Sequence, residues 1–388
     1  MGHLVEEYAK NLGVKVGKPI FNPHYVPIVD EKYITIHVDN KIDAKYYEFF
    51  PEVIDLMKAT LHNNGYKIYQ IGGGEDPPLP NVDKQYLGFS RKQSAFIIKN
   101  SSLHFGIDSF PVHLASTYDV PIVALYSHIF AQNAYPYWSS KQKVRLIEAD
   151  LKGKKPCFSY QEKPKSIHTI KPEEIVKNIF ELLDIPYISS IKTLFIGEEY
   201  NQSSVEVVPN FFGESDELKK RILNIRADYF FNENVVAQWC EKYQVNVYSD
   251  REININLLKS FKHNIKNLVL FIESENSFSE EYLDQVKNTG IPLRCISHNY
   301  QNIAKIRLKY FDTPIILEQQ ANQETIENIR NTPNLKFLTR KDILSAGKRY
   351  SSKAHADEDK VFLDKVSDVI DTSAFWKDLE HYYIYESC

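Results

Sequence analysis

The residues best placed to do chemistry lie in segment 106–115, which reads Gly-Ile-Asp-Ser-Phe-Pro-Val-His-Leu-Ala. Asp108 and Ser109 follow an apolar run that is typical of a buried strand, and Pro111 suits the first turn of a helix. We therefore expect a helix to begin at the carboxyl edge of a sheet, with Ser109 as its cap. The free amide groups and the dipole at such a helix start favour an anion, most often phosphate.

Two other segments carry polar groups that suit a phosphate-containing ligand. Lys45 precedes a helical pattern and can act as a point charge, although exposed lysines beside helix starts are common. The loop Gly72-Gly73-Gly74-Glu75 follows a strand pattern, and Glu75 can accept hydrogen bonds from hydroxyl groups or simply close the turn. We expect Asp108 to brace its loop. His113 is either a ligand-facing group or a buried helix histidine.

Alternating strands and helices must position these residues. The first half of the chain predicts a parallel, doubly wound sheet because apolar runs alternate with amphipathic, capped segments. Ser90 and Gln93 have the spacing of a capping box for the helix that runs to Asn100. The predicted strands are 33–38, 67–71, 103–106 and 121–125, and the predicted helices are 51–64, 90–100 and 172–183.

A second series of strand and helix patterns begins near Ile191. Strands are predicted at 193–196, 229–231, 245–248, 268–272, 293–296 and 315–317. The stretch Pro186–Ser190 marks the boundary. We expect an α/β fold with two Rossmann-like domains, residues 1–187 and 188–340, facing a cleft. Residues 341–388 are predicted to form a helical tail, with Phe375, Trp376, Leu379 and Tyr383 as its apolar stripe.

Three elements of the first half, taken in order, resemble the nucleotide-sugar-binding domain of family 9 glycosyltransferases, which are heptosyltransferase-like. They are Lys45 before a helix, the turn Gly72-Gly73-Gly74-Glu75, and the segment Asp108-Ser109-Phe110-Pro111-Val112-His113-Leu114-Ala115. The resemblance covers about 150 residues of this sequence. It implies that Lys45, Gly72, Gly73, Gly74, Glu75, Asp108, Ser109, Phe110 and His113 contact the donor. Phe110 stands where the family has glycine. Glycine at this position lets the backbone approach the donor phosphates.

The order of the halves differs from that family, in which the nucleotide domain comes second. The resemblance therefore implies a circularly permuted GT-B-like chain, with residues 188–340 as the acceptor domain. Permutation is tolerated where chain termini lie close together at a surface. Glu198 and Glu199 follow the first strand pattern of that domain, so they are our candidates for the catalytic base. A solvated acidic turn is the alternative interpretation.

The implied reaction moves a sugar from a nucleotide diphosphate sugar, a co-substrate, to a hydroxyl acceptor. Neither a cofactor nor a metal is expected, because paired metal-ligand motifs are absent from the sequence. Lys141–Lys171 holds nine basic and three acidic residues. It is either a solvated loop or a surface for an anionic acceptor, a glycan or a nucleic acid. The alternatives are a phage-type DNA glycosyltransferase with the same donor site, and a degenerate, non-catalytic nucleotide-binding or interaction module.

Composition places few further limits on these interpretations. The chain has 388 residues, 43% of them hydrophobic and 25% charged, with a formal net charge of −4. These values are ordinary for a globular protein. No apolar run approaches the roughly 20 residues needed to span a bilayer. Cys157, Cys240, Cys295 and Cys388 lie far apart, and the first residues carry no secretory pattern, so a reducing, cytoplasmic location is expected.

Overall fold

A computed structural model describes residues 2–28, 31–38, 41–318, 321–362 and 366–388. The chain divides into two compact units. Unit 1 comprises residues 1–193 together with 387–388, and unit 2 comprises residues 194–386. Both units are α/β, as the sequence predicts.

Unit 1 is built on one parallel sheet of six strands. The strands are β1 (Lys32–His37), β2 (Tyr66–Gly72), β3 (Lys84–Leu87), β4 (Leu103–Ile107), β5 (Ile122–Tyr126) and β6 (Val144–Glu148). The helices are α1 (Leu4–Leu12), α2 (Phe50–Asn63), α3 (Arg91–Lys99), α4 (Phe110–Thr117), α5 (Ala131–Ala134) and α6 (Pro172–Leu182). Short 3-10 turns occupy Asp43–Lys45, Lys141–Lys143 and Ser166–Thr169.

The central strands β4 and β5 are buried at every position, so this sheet is covered on both faces. Tyr33 of β1 and Tyr69 of β2 pack in one cluster with residues of α3 and α4. On the other face, Phe50 of α2 packs edge-on against Phe105 of β4, and α6 packs on β4 and β5. Helices on both faces bury a parallel sheet completely. The doubly wound pattern predicted for the first half is therefore present.

Unit 2 contains two sheets. Its strands are β7 (Ile191–Ile196), β8 (Ser204–Val207), β9 (Leu223–Arg226), β10 (Val245–Ser249), β11 (Ile265–Phe271), β12 (Leu293–Ser297), β13 (Ile315–Leu317), β14 (Leu335–Leu338), β15 (Lys341–Ser345), β16 (Lys348–Tyr350), β17 (Val366–Asp368) and β18 (Tyr383–Ser387). Its helices are α7 (Glu233–Lys242), α8 (Ile255–Ser260), α9 (Glu280–Thr289), α10 (Ile303–Lys309), α11 (Gln323–Arg330), α12 (Lys353–Asp357) and α13 (Ser373–Lys377), with 3-10 turns at Leu218–Lys220 and Leu379–His381.

The larger sheet of unit 2 has the order β13-β12-β11-β10-β9-β8-β15-β16 and is parallel from β13 to β15. From β8 to β13 each strand lies beside the one before it, so the order never reverses. The helices α7, α8, α9 and α10 pack in one core with the inward residues of these strands. The second half is thus parallel α/β, as predicted, but these connecting helices lie on one face rather than two. A strand lies at 223–226, and the strand predicted at 229–231 is a turn.

The predicted helical tail is wrong. Residues 341–388 contribute β15 and β16 to the large sheet, and β17 and β18 to a four-stranded sheet of order β17-β14-β18-β7. Only α13 and a 3-10 turn cover part of the predicted stripe. Phe375, Trp376 and Leu379 are indeed buried, in one cluster with residues of β14 and β18. The apolar residues were correctly expected to be packed, but strand pairing with distant segments decides their conformation.

Candidate functional site

The strand order of unit 1 is β3-β2-β1-β4-β5-β6, which reverses between β1 and β4. Doubly wound sheets bind ligands in the crevice at such a reversal, outside the carboxyl ends of the strands. Here that crevice lies beyond His37 of β1 and Ile107 of β4. Gly106 keeps these strands close, because a Cβ at this position would lie 2.8 Å from the carbonyl oxygen of His37.

Lys45 lies at this crevice, at the end of the 3-10 turn after β1. The residue is only 8% exposed, and its Nζ donates a hydrogen bond of 2.6 Å to the carbonyl of Asp108. Within the described part of the chain, no carboxylate lies at ion-pair distance from Lys45. A buried ammonium without a counter-charge is costly, so the position favours an anionic guest. The alternative of a solvent-exposed lysine is wrong.

Ser109 does not cap α4, contrary to the sequence expectation. Its hydroxyl lies 3.0 Å from Nδ1 of His37 and donates to the carbonyl of Ile107 at 3.1 Å. These contacts hold the side chain back toward the strand ends, away from the amide groups of the first helical turn. Pro111 in that turn has no N–H to satisfy. The helix start is therefore left without a side-chain cap from Ser109, as an anion-binding start requires.

The glycine turn is held by Asp76 rather than by Glu75. Glu75 is exposed, whereas Asp76 is 6% exposed and accepts a hydrogen bond of 2.6 Å from the amide of Gly73. Its carboxylate also lies 3.7 Å from Nε2 of His37. A Cβ on Gly72 would lie 2.5 Å from Oδ2 of Asp76, so a larger residue there would displace this carboxylate. Gly74 lies in the same turn. Because Asp76 holds this turn, the exposed Glu75 is available to a ligand.

Asp108 and His113 form a pair at the start of α4. Nε2 of His113 lies 3.3 Å from Oδ1 of Asp108. The Asp108 side chain is 13% exposed and that of His113 is 43% exposed. The bracing role expected of Asp108 agrees with this contact. The interpretation of His113 as a buried histidine is wrong, because its ring is accessible.

His128, which the sequence interpretation missed, follows β5 at the same edge of the sheet. Burial, and then the nearby Lys45 ammonium, lower the pKa of His128, while Asp108 and Glu162 oppose that shift. The neutral imidazole is therefore favoured near neutral pH. Ser127 fixes the adjoining turn by donating to the carbonyl of Ala44 at 3.2 Å. A polar residue shortly after a buried strand was the available signal for His128, whereas His37 is the last residue of β1.

Phe110 is the first residue of α4 and is 44% exposed. Its ring contacts the guanidinium of Arg91, 5.6 Å from the ring centroid, and the ring of Phe21, whose centroid is 6.1 Å away. The backbone at the helix start is thus bordered by an aromatic side chain instead of the glycine of the family pattern.

Glu198 and Glu199 lie in unit 2, after β7, which belongs to the small sheet rather than to the parallel one. Oε2 of Glu199 is 3.4 Å from Nε2 of His381. Burial chiefly raises the pKa of Glu318, which follows β13 of the parallel sheet, and the charge of Glu199 adds to that shift. Glu199 is therefore close enough to act electrostatically on that edge. The premise that β7 is the first strand of the parallel sheet is wrong.

The basic stretch Lys141–Lys171 is partly neutralised by its own unit. Lys143 binds Asp119 at 2.7 Å, and Arg145 lies 3.7 Å from Glu181. Lys165 is only 13% exposed and binds Asp43 and Glu48. These three residues act within the fold, so the anion surface expected of this stretch is reduced to its exposed loop lysines.

No group of three or more potential metal ligands occurs in the described ranges. Metal-independent transfer stays a prediction. None of the helices in those ranges combines the length and the apolar character needed to cross a bilayer.

Solved structures similar to this chain include three bacterial glycosyltransferases. The glycosyl transferase family 9 protein from Veillonella parvula is 20% identical over 46% of this chain and 50% of that chain, with a TM-score of 0.32. The iron-containing dodecameric glycosyltransferase TibC from enterotoxigenic E. coli is 16% identical over 44% of this chain and 52% of that chain, with a TM-score of 0.34. The E. coli ADP-heptose LPS heptosyltransferase II is 17% identical over 46% of this chain and 50% of that chain, with a TM-score of 0.31. The chain spans about half the length of each of these structures. No profile of a protein family matches the chain, and no curated protein is significantly similar to it.

Proposed function

We propose that unit 1 binds the diphosphate of a nucleotide sugar and that the protein transfers the sugar to a hydroxyl acceptor. The observation that carries this proposal is Lys45, a buried ammonium at the reversal of a doubly wound sheet. Among the described residues its ammonium group donates to a main-chain carbonyl and pairs with no carboxylate, so its charge calls for an anion.

Several groups at the crevice suit a diphosphate. The uncapped start of α4 offers amide donors and a positive dipole, and the Ser109 hydroxyl would join them by rotating away from the carbonyl of Ile107. Growing negative charge on a leaving diphosphate is stabilised by such preorganised donors and by a nearby ammonium. Glu75, exposed in the glycine turn, is available to accept from sugar hydroxyls. These roles agree with the motif resemblance of residues 45, 72–75 and 108–115.

The first experiment measures affinity for ADP, UDP, GDP and CDP by calorimetry, with Lys45→Met as the test variant. Losing one charge-assisted hydrogen bond costs about 1.5–3 kcal/mol, so affinity falls about tenfold to a hundredfold. Lys177→Met is the matched control, because Lys177 lies on α6 of the same unit with a 68% exposed side chain. Equal affinities in the Lys45 and Lys177 variants would move the anion site elsewhere.

The catalytic part of the proposal places the hydroxyl acceptor with unit 2, the reverse of the order in the family that the motifs resemble. Glu198 and Glu199 are the proposed bases, since a carboxylate can remove the acceptor proton. Mass spectrometry with a nucleotide-sugar panel tests for product, with and without a chelator. Full activity of a Glu198→Gln, Glu199→Gln double variant would exclude the pair, and loss of activity with chelator would exclude the metal-independent mechanism. Nucleotide binding without turnover would instead favour the degenerate, non-catalytic module.

A further inference from the structure

Phe110, Arg91 and Phe21 form an exposed aromatic and cationic wall beside the proposed phosphate site. The Phe110 ring is 44% exposed, and Arg91 is exposed as well. Within the described ranges, no carboxylate forms an ion pair with Arg91. An exposed ring and an exposed guanidinium in contact leave two flat surfaces available to a third planar group.

The fold brings the wall to the carboxyl edge of the sheet. Phe110 begins α4 directly after β4, and Arg91 begins α3 shortly after β3. The start of α3 is closed by a capping box between Ser90 and Gln93, so Arg91 is presented from a fixed helical turn. Phe110 directly follows Ser109, so the ring borders the group that we assign to the phosphate.

The third member of the wall, Phe21, lies in residues 14–28, which follow α1 and which we call the N-terminal arm. The Tyr118 hydroxyl donates to the carbonyl of Phe21 at 2.6 Å, and the amide of His24 donates to the carbonyl of Lys92 at 2.9 Å. These bonds fix the arm across α3 and α4. The rings of Phe21 and Phe110 then meet edge-on at an interplanar angle of 64°. The arm therefore supports one edge of the Phe110 ring and helps to hold its orientation.

We propose that the Phe110 and Arg91 side chains bind the nucleobase of the donor by stacking. This inference rests on the proposed function, because it extends the assigned diphosphate site to the rest of the nucleotide. A nucleobase is the planar part of a nucleoside diphosphate, and aromatic rings and guanidinium groups both stack on it. Stacking tolerates any base, since every base has a π-face. The wall thus contributes affinity for a nucleotide over a bare diphosphate.

The test compares ADP and UDP with inorganic pyrophosphate, each measured by calorimetry on the full chain. Stacking on an aromatic ring is worth about 1–3 kcal/mol per base, so Phe110→Leu is expected to weaken ADP and UDP binding roughly tenfold or more. Pyrophosphate affinity is expected to change less than about twofold, since the phosphate donors remain. Tyr8→Leu is the matched control, because Tyr8 lies on α1 with 64% exposure, and it should change neither affinity.

Each other outcome overturns a distinct claim. Unchanged ADP and UDP affinities in Phe110→Leu, at an unchanged melting temperature, would show that the ring only supports the arm. An equal loss for pyrophosphate would show that Phe110 acts through the structure of α4, which also overturns the inference. If the wild-type protein binds ADP and UDP no more tightly than pyrophosphate, the wall does not bind the nucleobase, although the phosphate site still stands. Binding of neither compound would reject the proposed function itself.

Discussion

Lys341 in unit 2 and Lys45 in unit 1 are both buried, but their charges are neutralised differently. Lys341 of β15 is 3% exposed, and its Nζ lies 3.1 Å from Glu206 and 3.0 Å from Asp378. Lys45 is 8% exposed, and among the described residues it hydrogen-bonds a main-chain carbonyl and pairs with no carboxylate. A buried charge that the protein itself neutralises serves the fold, whereas one left without a carboxylate points to a ligand. Burial alone would not have separated these two roles.

The network around Lys341 joins three adjacent strands. Arg226 of β9 donates to Glu206 of β8 at 2.9 Å and forms two bonds with Asp228. Burial by itself would raise the pKa of Asp378, but the Lys341 ammonium and the Arg226 guanidinium hold it below its usual value. The same charges act in return, because Asp378 and Glu206 raise the pKa of Lys341 against the effect of burial. Unit 2 therefore contains a buried charge cluster with its own compensation.

The largest expected effect is that of Lys341→Met on stability. Removing this partner from the buried ionic network leaves Asp378 without its ion pair and leaves Glu206 with Arg226 alone, and such a loss costs about 3–5 kcal/mol. Urea unfolding followed by tryptophan fluorescence measures the change, since Trp239 and Trp376 both lie in unit 2. Lys336→Met is the control, because Lys336 pairs with Asp368 at an exposed position. A loss below about 1 kcal/mol, the value typical of surface pairs, would contradict the assigned role.

We expect the difference in the free energy of unfolding between wild type and Lys341→Met to become smaller as pH falls. The pKa of Asp378 is lowered in the folded state, so its contribution to stability is complete above the unfolded value of about 3.9 and is lost as pH falls through the folded value. In the variant, protonation of Asp378 relieves its repulsion with the neighbouring Glu206 instead. Urea unfolding at neutral pH and below about pH 4 tests this, and a constant difference would show that the methionine acts through packing.

Ser90→Ala should produce a smaller loss, confined to unit 1. Ser90 closes the start of α3 with a reciprocal capping box, and losing such a cap costs about 1 kcal/mol. We expect the affinity for inorganic pyrophosphate to be unchanged, because the capping box already satisfies this helix start. Calorimetric melting and pyrophosphate titration together measure both quantities. A marked drop in pyrophosphate affinity would instead assign anion binding to α3 as well as to α4.

The smallest expected change in stability is that of Lys45→Met. The variant loses a hydrogen bond to the Asp108 carbonyl but also removes an uncompensated buried charge, so the two effects largely cancel. The free energy of unfolding should stay within about 1 kcal/mol of wild type, while nucleotide affinity falls as described above. A loss as large as that of Lys341→Met would place Lys45 among the structural lysines and remove the contrast.

The sequence was most informative where structure is local. The helix predicted at 51–64 is observed at Phe50–Asn63, and the capping box of Ser90 and Gln93 is present. Periodicity and caps act within a few residues, so they can be read from one chain. The tail was misjudged partly because β15 and β18 pair with β8 and β14, which lie far away in sequence, and no local pattern records such pairing. β15 also pairs with the adjacent β16 across the turn Ala346-Gly347, a local hairpin that the sequence interpretation missed.

The candidate site shows the same division. Lys45, Asp108 and Ser109 were identified from their motifs, and the structure brings Lys45 and Asp108 into contact. Closing of the glycine turn was considered for Glu75, but Asp76 does this, because Asp76 is buried against the turn and Glu75 is exposed. His37 was missed because its contact partner, Ser109, follows a different strand of the sheet, β4. Burial and contacts between distant segments are tertiary properties, and they distinguish Lys45 from an exposed lysine.

The place of β15 in the large sheet also bears on how the chain folds. Ser204 of β8 pairs with Lys341 of β15, whereas the neighbouring pair β8 and β9 joins residues about 20 positions apart. Closing a long loop loses entropy before the new contacts repay it, so distant pairings form late. Until then β8 remains an open edge that can pair with another chain. We therefore expect unit 2 to refold more slowly than unit 1 and to be the source of concentration-dependent association during refolding.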